Sequence, residues 1–244
     1  MSNYWNRMPY YGQPDASELK RKSAASVKKA VAKGRVLEPV VIEGRTITKS
    51  WWGRSWCNNL ERYADYGSRI DRGKRYARNG SVIDLKIRKG VINALVQGTR
   101  RTPYKVEIII KPLSKERGEK IAKRCAKRLN TVEKLLNGDF PEELKELFMQ
   151  RNGLFPTPEE ICFDCSCPDW ASMCKHVAAA LYGVGARLDE KPLLFFELRG
   201  IEIDTFIDQS LGDRVEQMLR NADHTGERVM DEKEASGLFG INIF

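Results

Sequence analysis

The sequence predicts an α+β fold: an antiparallel β-meander packed with helices, plus a small ββα-like finger. Three observations carry that prediction. Between residues 81 and 111 three short runs alternate apolar and polar residues, with only short turns between them. On both sides of these runs, apolar residues recur at helical spacing. Between residues 165 and 176, three cysteines and a histidine crowd into twelve positions.

The elements follow in order. Residues 1–38 read as a flexible basic arm with a helix candidate from Ala16 to Lys33, rich in Lys and Ala. That arm is either a solvated tail or a segment that contacts phosphates. An α+β domain is expected over 39–153. It opens on Trp51, Trp52 and Trp56, which read as core with their indole N–H groups satisfied, the alternative being a platform for stacking nucleobases. A helix suits Ser55 to Tyr66, with Trp56, Leu60 and Tyr63 on one face. Arg69 to Arg78 reads as a basic loop in which Gly73 permits close backbone approach. Three strands follow, Ser81 to Arg88, Val91 to Gln97 and Tyr104 to Lys111, with short loops that imply antiparallel neighbours. Ser114 caps a helix running to about Leu136, on whose apolar stripe Cys125 lies. A second helix runs from Pro141 to about Met149. The finger is expected over 154–200, with a strand from Glu160 to Asp164 and a helix from Val177 to Leu188. Leu193 to Leu198 reads as a buried strand or packed segment. The region 201–244 is expected to hold a helix, a polar linker containing the solvated His224, and an apolar tail.

The run Cys165-Ser166-Cys167-Pro168-Asp169-Trp170-Ala171-Ser172-Met173-Cys174-Lys175-His176 carries the strongest chemical signal. Three thiolates and an imidazole complete a tetrahedral zinc shell with no open position, which points to a structural rather than a catalytic site. Residues two apart on an extended segment share a side, so Cys165 and Cys167 can face one ion. Two residues apart on a helix lie on opposite faces. Cys174 therefore belongs just before the helix and His176 in its first turn, where the helix N-terminus favours thiolate charge. Cys162 and Cys165 form a C-x-x-C, which leaves Cys162 as an alternative to Cys167; otherwise Cys162 is a buried strand residue. Asp164 and Asp169 are turn residues or acceptors for the ligands.

Composition narrows the partners. The 244 residues carry 42 Lys and Arg against 33 Asp and Glu, a formal charge of +9. Such a balance favours polyanions. The excess is regional: thirteen cations against four acids between Arg54 and Lys105. Arg69, Arg72, Lys74, Arg75 and Arg78, with Arg100 and Arg101 on the next turn, are the candidate nucleic-acid contacts; the alternative is a solvated basic surface. Leu238, Phe239, Ile241, Ile243 and Phe244 form an uncharged end that either packs back or docks on a protein partner. No apolar run spans a bilayer and no signal-peptide core opens the chain, so a cytoplasmic protein is expected. Clustered cysteines without such a signal point to reduced thiols and metal rather than disulfides. No phosphate-binding Gly-rich loop, open metal shell or credible Cys-His nucleophile pair is seen, so neither an enzyme nor a small-molecule substrate is expected.

The C-x-C, spacer, C-x-H arrangement, with Pro168 and the small-residue helix Val177-Ala178-Ala179-Ala180-Leu181, resembles the SWIM zinc-finger family. Beyond it, Trp51 to Trp56, the β-rich stretch and Leu238-Phe239-Gly240-Ile241 look like prokaryotic SWIM proteins that accompany Swi/Snf-type ATPases. The resemblance implies Cys165, Cys167, Cys174 and His176 as zinc ligands, and DNA- or protein-binding roles. The expected function is a zinc-binding, non-catalytic adaptor for nucleic acid and a Swi/Snf-type ATPase or other protein; the alternative is an interaction scaffold without DNA affinity.

Overall fold

In the computed structural model, the described residues are 15–64, 67–129, 140, 142–150, 153–202, 212, 218 and 219. Three helices come first: α1 (Ala16–Val31), α2 (Trp51–Glu61) and α3 (Gly67–Arg78). Strands β1 (Val82–Arg88), β2 (Val91–Val96) and β3 (Tyr104–Ile110) are followed by α4 (Lys115–Leu129) and the short α5 (Lys145–Met149). Then come β4 (Ile161–Cys165), α6 (Lys175–Glu190) and α7 (Leu194–Leu198).

The strands form one antiparallel sheet in the order β1-β2-β3-β4. The meander is therefore present, and the strand that enters the cysteine cluster extends it. Val106 pairs with Cys165 and Ile110 with Ile161. The strand–strand–helix unit around the cluster is β3–β4–α6, with β3 shared by the meander. On β3 the alternation is complete: Tyr104, Val106, Ile108 and Ile110 are buried while Lys105, Glu107 and Ile109 face outward. On β1 the register shifts between Val82 and Asp84. That bulge lets Val82 and Ile83 both be buried, where strict alternation would choose one.

The inner face of the sheet is covered by α6, and α3 lies along α6. Val106, Ile108, Leu147, Phe155, Val177 and Leu181 belong to one core. Around the C-terminal half of α6 that core is aromatic. Trp56 is fully buried and donates its indole N–H to the Leu181 carbonyl at 3.1 Å. Trp51 donates to the Phe140 carbonyl at 2.7 Å and Trp52 to Leu188 at 3.2 Å. Trp51 and Trp52 meet edge to face at 5.6 Å and pack on Phe148 and Phe140. These tryptophans are core residues, as their clustering indicated.

Several expected elements differ. The helix expected from Ser55 starts at Trp51, because Ser50 caps it by accepting the Gly53 N–H at 3.0 Å. Asp189, near the end of α6, accepts from the Ser50 hydroxyl and so ties that cap in place. The loop expected at Arg69–Arg78 is instead the helix α3. Ile70, Gly73, Tyr76 and Ala77 form a narrow buried stripe at helical spacing, which the dense cations obscure in the sequence. Gly73 does not serve a ligand: a Cβ there would lie 2.4 Å from the Ala178 Cβ, so the glycine lets α3 approach α6. Leu193 to Leu198 is helical at Leu194–Leu198, burying Phe195, Phe196 and Leu198. The arm expected over 1–38 contains a packed helix. Leu19 is fully buried, Ser26 donates to Gln97 at 2.6 Å, and Lys22 donates to the Thr99 carbonyl at 2.8 Å. The helix beginning at Ser114 is described as far as Leu129, and Cys125 is in the core as expected. Among the described residues, no helix is long and apolar enough to cross a membrane.

Candidate metal centre

Strand parity decides which cysteines meet. On β4, Ile161, Phe163 and Cys165 turn toward the core, whereas Cys162 and Asp164 are exposed on the other face. Cys162 is therefore neither a ligand nor a buried residue, and Cys167 joins Cys165 instead. After Cys165 the chain leaves the ladder through Ser166. Its N–H donates to the Lys105 carbonyl at 3.0 Å, and its hydroxyl accepts the Lys105 N–H at 2.9 Å. Asp169 then holds the turn, accepting two bonds from the Arg69 guanidinium at 3.1 and 3.2 Å. It also accepts the Ala171 N–H at 3.4 Å. Asp169 is thus both a turn residue and the link from the turn to α3.

Cys174 is the N-cap of α6, its sulfur accepting the Val177 N–H at 3.5 Å, and His176 lies in the first turn, as the spacing required. One ligand atom from each of Cys165, Cys167, Cys174 and His176 lies within 4.8 Å of the others. The His176 Nδ1 is 3.9 Å from the sulfurs of both Cys165 and Cys174. With zinc-type bond lengths, a tetrahedron has edges of about 3.6 Å (S to N) and about 3.8 Å (S to S). The cluster is therefore close to that size and able to hold a metal ion. Cys174 and His176 are each 1% exposed, and the other two ligands are half-buried.

The imidazole is held by groups that sequence reasoning did not single out. Tyr104 stacks on the His176 ring at 3.9 Å between centroids, and Tyr76 meets it edge-on at 5.6 Å. Gly98 keeps the remaining space open, since a Cβ there would stand 2.6 Å from the Tyr104 ring and 3.2 Å from the His176 Nε2. These contacts leave Nδ1 facing the sulfurs. The Nε2 is buried with no hydrogen-bond partner among the described residues. Nothing local in the sequence points to Tyr76, Gly98 or Tyr104, because all three arrive from other elements.

The electrostatics fit a cation. A hydrogen bond from Cys165, helped by His176 and the Val177 N–H, brings the Cys174 thiol down to about 4. The same sharing pushes Cys165 up, and burial pushes Cys167 up. Burial also lowers His176, which favours the neutral, metal-binding imidazole. One thiolate is favoured by the protein alone, and the other two need a positive charge among them. Among the described residues this is the one such cluster.

The basic candidates divide into two groups. Arg69 is committed to Asp169, and Lys74 pairs with Glu61 at 3.0 Å while lying 5.5 Å from the Tyr182 ring. Arg78, Arg100 and Arg101 are exposed, and Arg72 and Arg75 are half-buried. Arg100 lies 5.2 Å over the Tyr104 ring, so it borders the metal centre. Leu238, Phe239, Ile241, Ile243, Phe244 and His224 lie outside the described residues. Trp170, which the sequence did not set apart, stands on the metal turn with 78% of its surface exposed.

No family model matches the chain. No solved structure matches it. The chain is similar to Uncharacterized protein Rv2102 of Mycobacterium tuberculosis, 36% identical over 180 residues that cover 73% of this chain and 65% of that protein. The aligned part is thus less than two thirds of that relative's length.

Proposed function

We propose that this protein is a zinc-held, non-catalytic adaptor that binds nucleic acid and a protein partner, as an accessory to a Swi/Snf-type DNA-dependent ATPase. The observation that carries the reading is the closed Cys165, Cys167, Cys174 and His176 shell, joined through Asp169 to a helix rich in cations. Sulfur-rich tetrahedral sites select zinc, and four protein ligands leave no place for a reacting water or substrate. The ion would neutralise the thiolates and fix the turn against the start of α6. The ATPase partner rests on the resemblance to SWIM proteins and on the apolar terminal residues.

The test pairs metal analysis with DNA binding and partner recovery. The expected metal content is one zinc per chain. DNA affinity should fall steeply with salt, and neutralising Arg72, Arg75, Arg78, Arg100 and Arg101 should flatten that slope. A nuclease-treated pull-down should recover the ATPase. An unchanged slope removes these residues from the DNA surface. The second reading, an interaction scaffold without DNA affinity, is favoured by the pairing of Arg69 and Lys74 with acids of the fold itself. It predicts partner recovery with no salt-sensitive DNA binding.

A further inference from the structure

We propose that the outer surface of the metal turn is a track for single-stranded nucleic acid, on which Trp170 stacks an unpaired base. The proposal rests on the nucleic-acid arm of the adaptor reading and adds the strand class and the stacking residue. Trp51, Trp52 and Trp56 bury their rings in the aromatic core, whereas Trp170 is 78% exposed. Its backbone is nonetheless held. Asp169 before it is bound to Arg69, and Ala171 and Met173 after it are buried at 7% and 1% exposure. A large ring is thus presented outward from a fixed turn, and a preorganised contact costs little ordering on binding.

The surroundings choose the partner. Pro168, Ser166 and Ser172, the loop residues around it, are small and exposed. Among the described residues, the other exposed large apolar side chains lie neither in the metal turn nor on α3. A protein hot spot sits within an apolar, water-excluding surround, which is missing here. Cations stand in its place. Lys175 acts on Asp169, whose charge Arg69 already offsets. Arg72 follows Arg69 by one turn of α3, and Arg100 covers the ring that stacks on His176. An aromatic face flanked by arginines suits a strand whose bases are unstacked, while a duplex hides its base faces.

The test measures anisotropy of a labelled single-stranded DNA oligonucleotide, and of the same sequence as duplex, against the full chain. Trp170→Ala should weaken single-strand binding by about 5- to 100-fold, the effect of one lost base stack, with the salt slope unchanged because no charge is removed. Trp170→Phe should restore most of it. Zinc content and melting should match the wild type in both variants. If Trp170→Ala binds as tightly as the wild type, the proposal is overturned and the adaptor reading stands. Equal affinity for duplex, equally sensitive to the substitution, overturns the single-strand assignment. Loss of a protein partner in the pull-down with DNA binding intact places Trp170 at a protein interface and overturns it too. A wild-type chain that binds neither oligonucleotide removes both this proposal and the nucleic-acid arm beneath it.

Discussion

The two ends of α6 are held by different physics. At its start, Cys174 and His176 meet Cys165 and Cys167 in a small polar cluster where three thiols compete for one favourable charge. At its end, Trp52 and Trp56 donate to α6 carbonyls, and aromatic rings of Phe140, Phe148, Phe155 and Phe195 surround the tryptophans. Asp189 adds a tie to Ser50. The aromatic end is stabilised by area removed from water, which needs no cofactor. The other end is stabilised only when a cation gathers its ligands. One helix thus joins a self-sufficient core to a conditional one.

Metal removal should separate the two ends most strongly. Structural zinc contributes on the order of 10 kcal/mol where its site does not exist in the unfolded chain. A chelator, or Cys174→Ser, should abolish zinc binding and strip exchange protection from residues 165–180. The amides near Leu188 should remain protected longer. Uniform loss of protection along α6 would show that the two ends are not separable.

The reverse break comes from Trp56→Ala, which should cost about 3–5 kcal/mol by opening a cavity under α6. Zinc stoichiometry of the folded protein should stay at the wild-type value, since no ligand is touched. A variant that folds but loses zinc would make the metal end dependent on the aromatic one. Gly73→Ala is smaller, roughly 1–3 kcal/mol, because the new methyl would stand 2.4 Å from the Ala178 Cβ and force α3 away from α6. Its signature would be a weaker link between α3 and the metal turn, read as faster exchange around Asp169 with the aromatic end unchanged.

The smallest effect sharpens that link. Burial pushes Asp169 up, but its bonds to Arg69 outweigh this and hold it below the ordinary carboxylate value. A lowered folded value means stability that is fully present above the unfolded pKa of about 4 and lost as pH falls through the folded one. Asp169→Asn should therefore cost roughly 1 kcal/mol or less at neutral pH, since the pair is partly solvated. Denaturant titrations of both proteins from pH 7 to pH 3 should converge below about pH 4. A gap that persists into acid would mean that the carboxylate charge is not what joins α3 to the turn.

Much of this was legible along the chain. The alternation at Tyr104 to Ile110 exposed β3, and the C-x-C and C-x-H spacings placed Cys174 at a cap and His176 in a first turn. Helix α3 was not legible. Five cations and two glycines between Gly67 and Arg78 resemble a loop, and the stripe of Ile70, Gly73, Tyr76 and Ala77 is apolar only weakly by composition. It is a helix because α6 offers small residues for that stripe to pack on. Gly98, Tyr76 and Tyr104 gather on His176 from three separate elements, so no spacing records their meeting.

By itself the sequence determined the donor set, the meander and the helix that carries Cys174 and His176, since strand alternation and helical periodicity depend on neighbours a few residues away. The tertiary structure decided that Cys167 rather than Cys162 completes the site, that three tryptophans are buried while Trp170 is not, and that Gly73 serves helix packing. Those outcomes depend on which distant surface covers a side chain, and burial against a distant surface leaves no mark in the local order of residues.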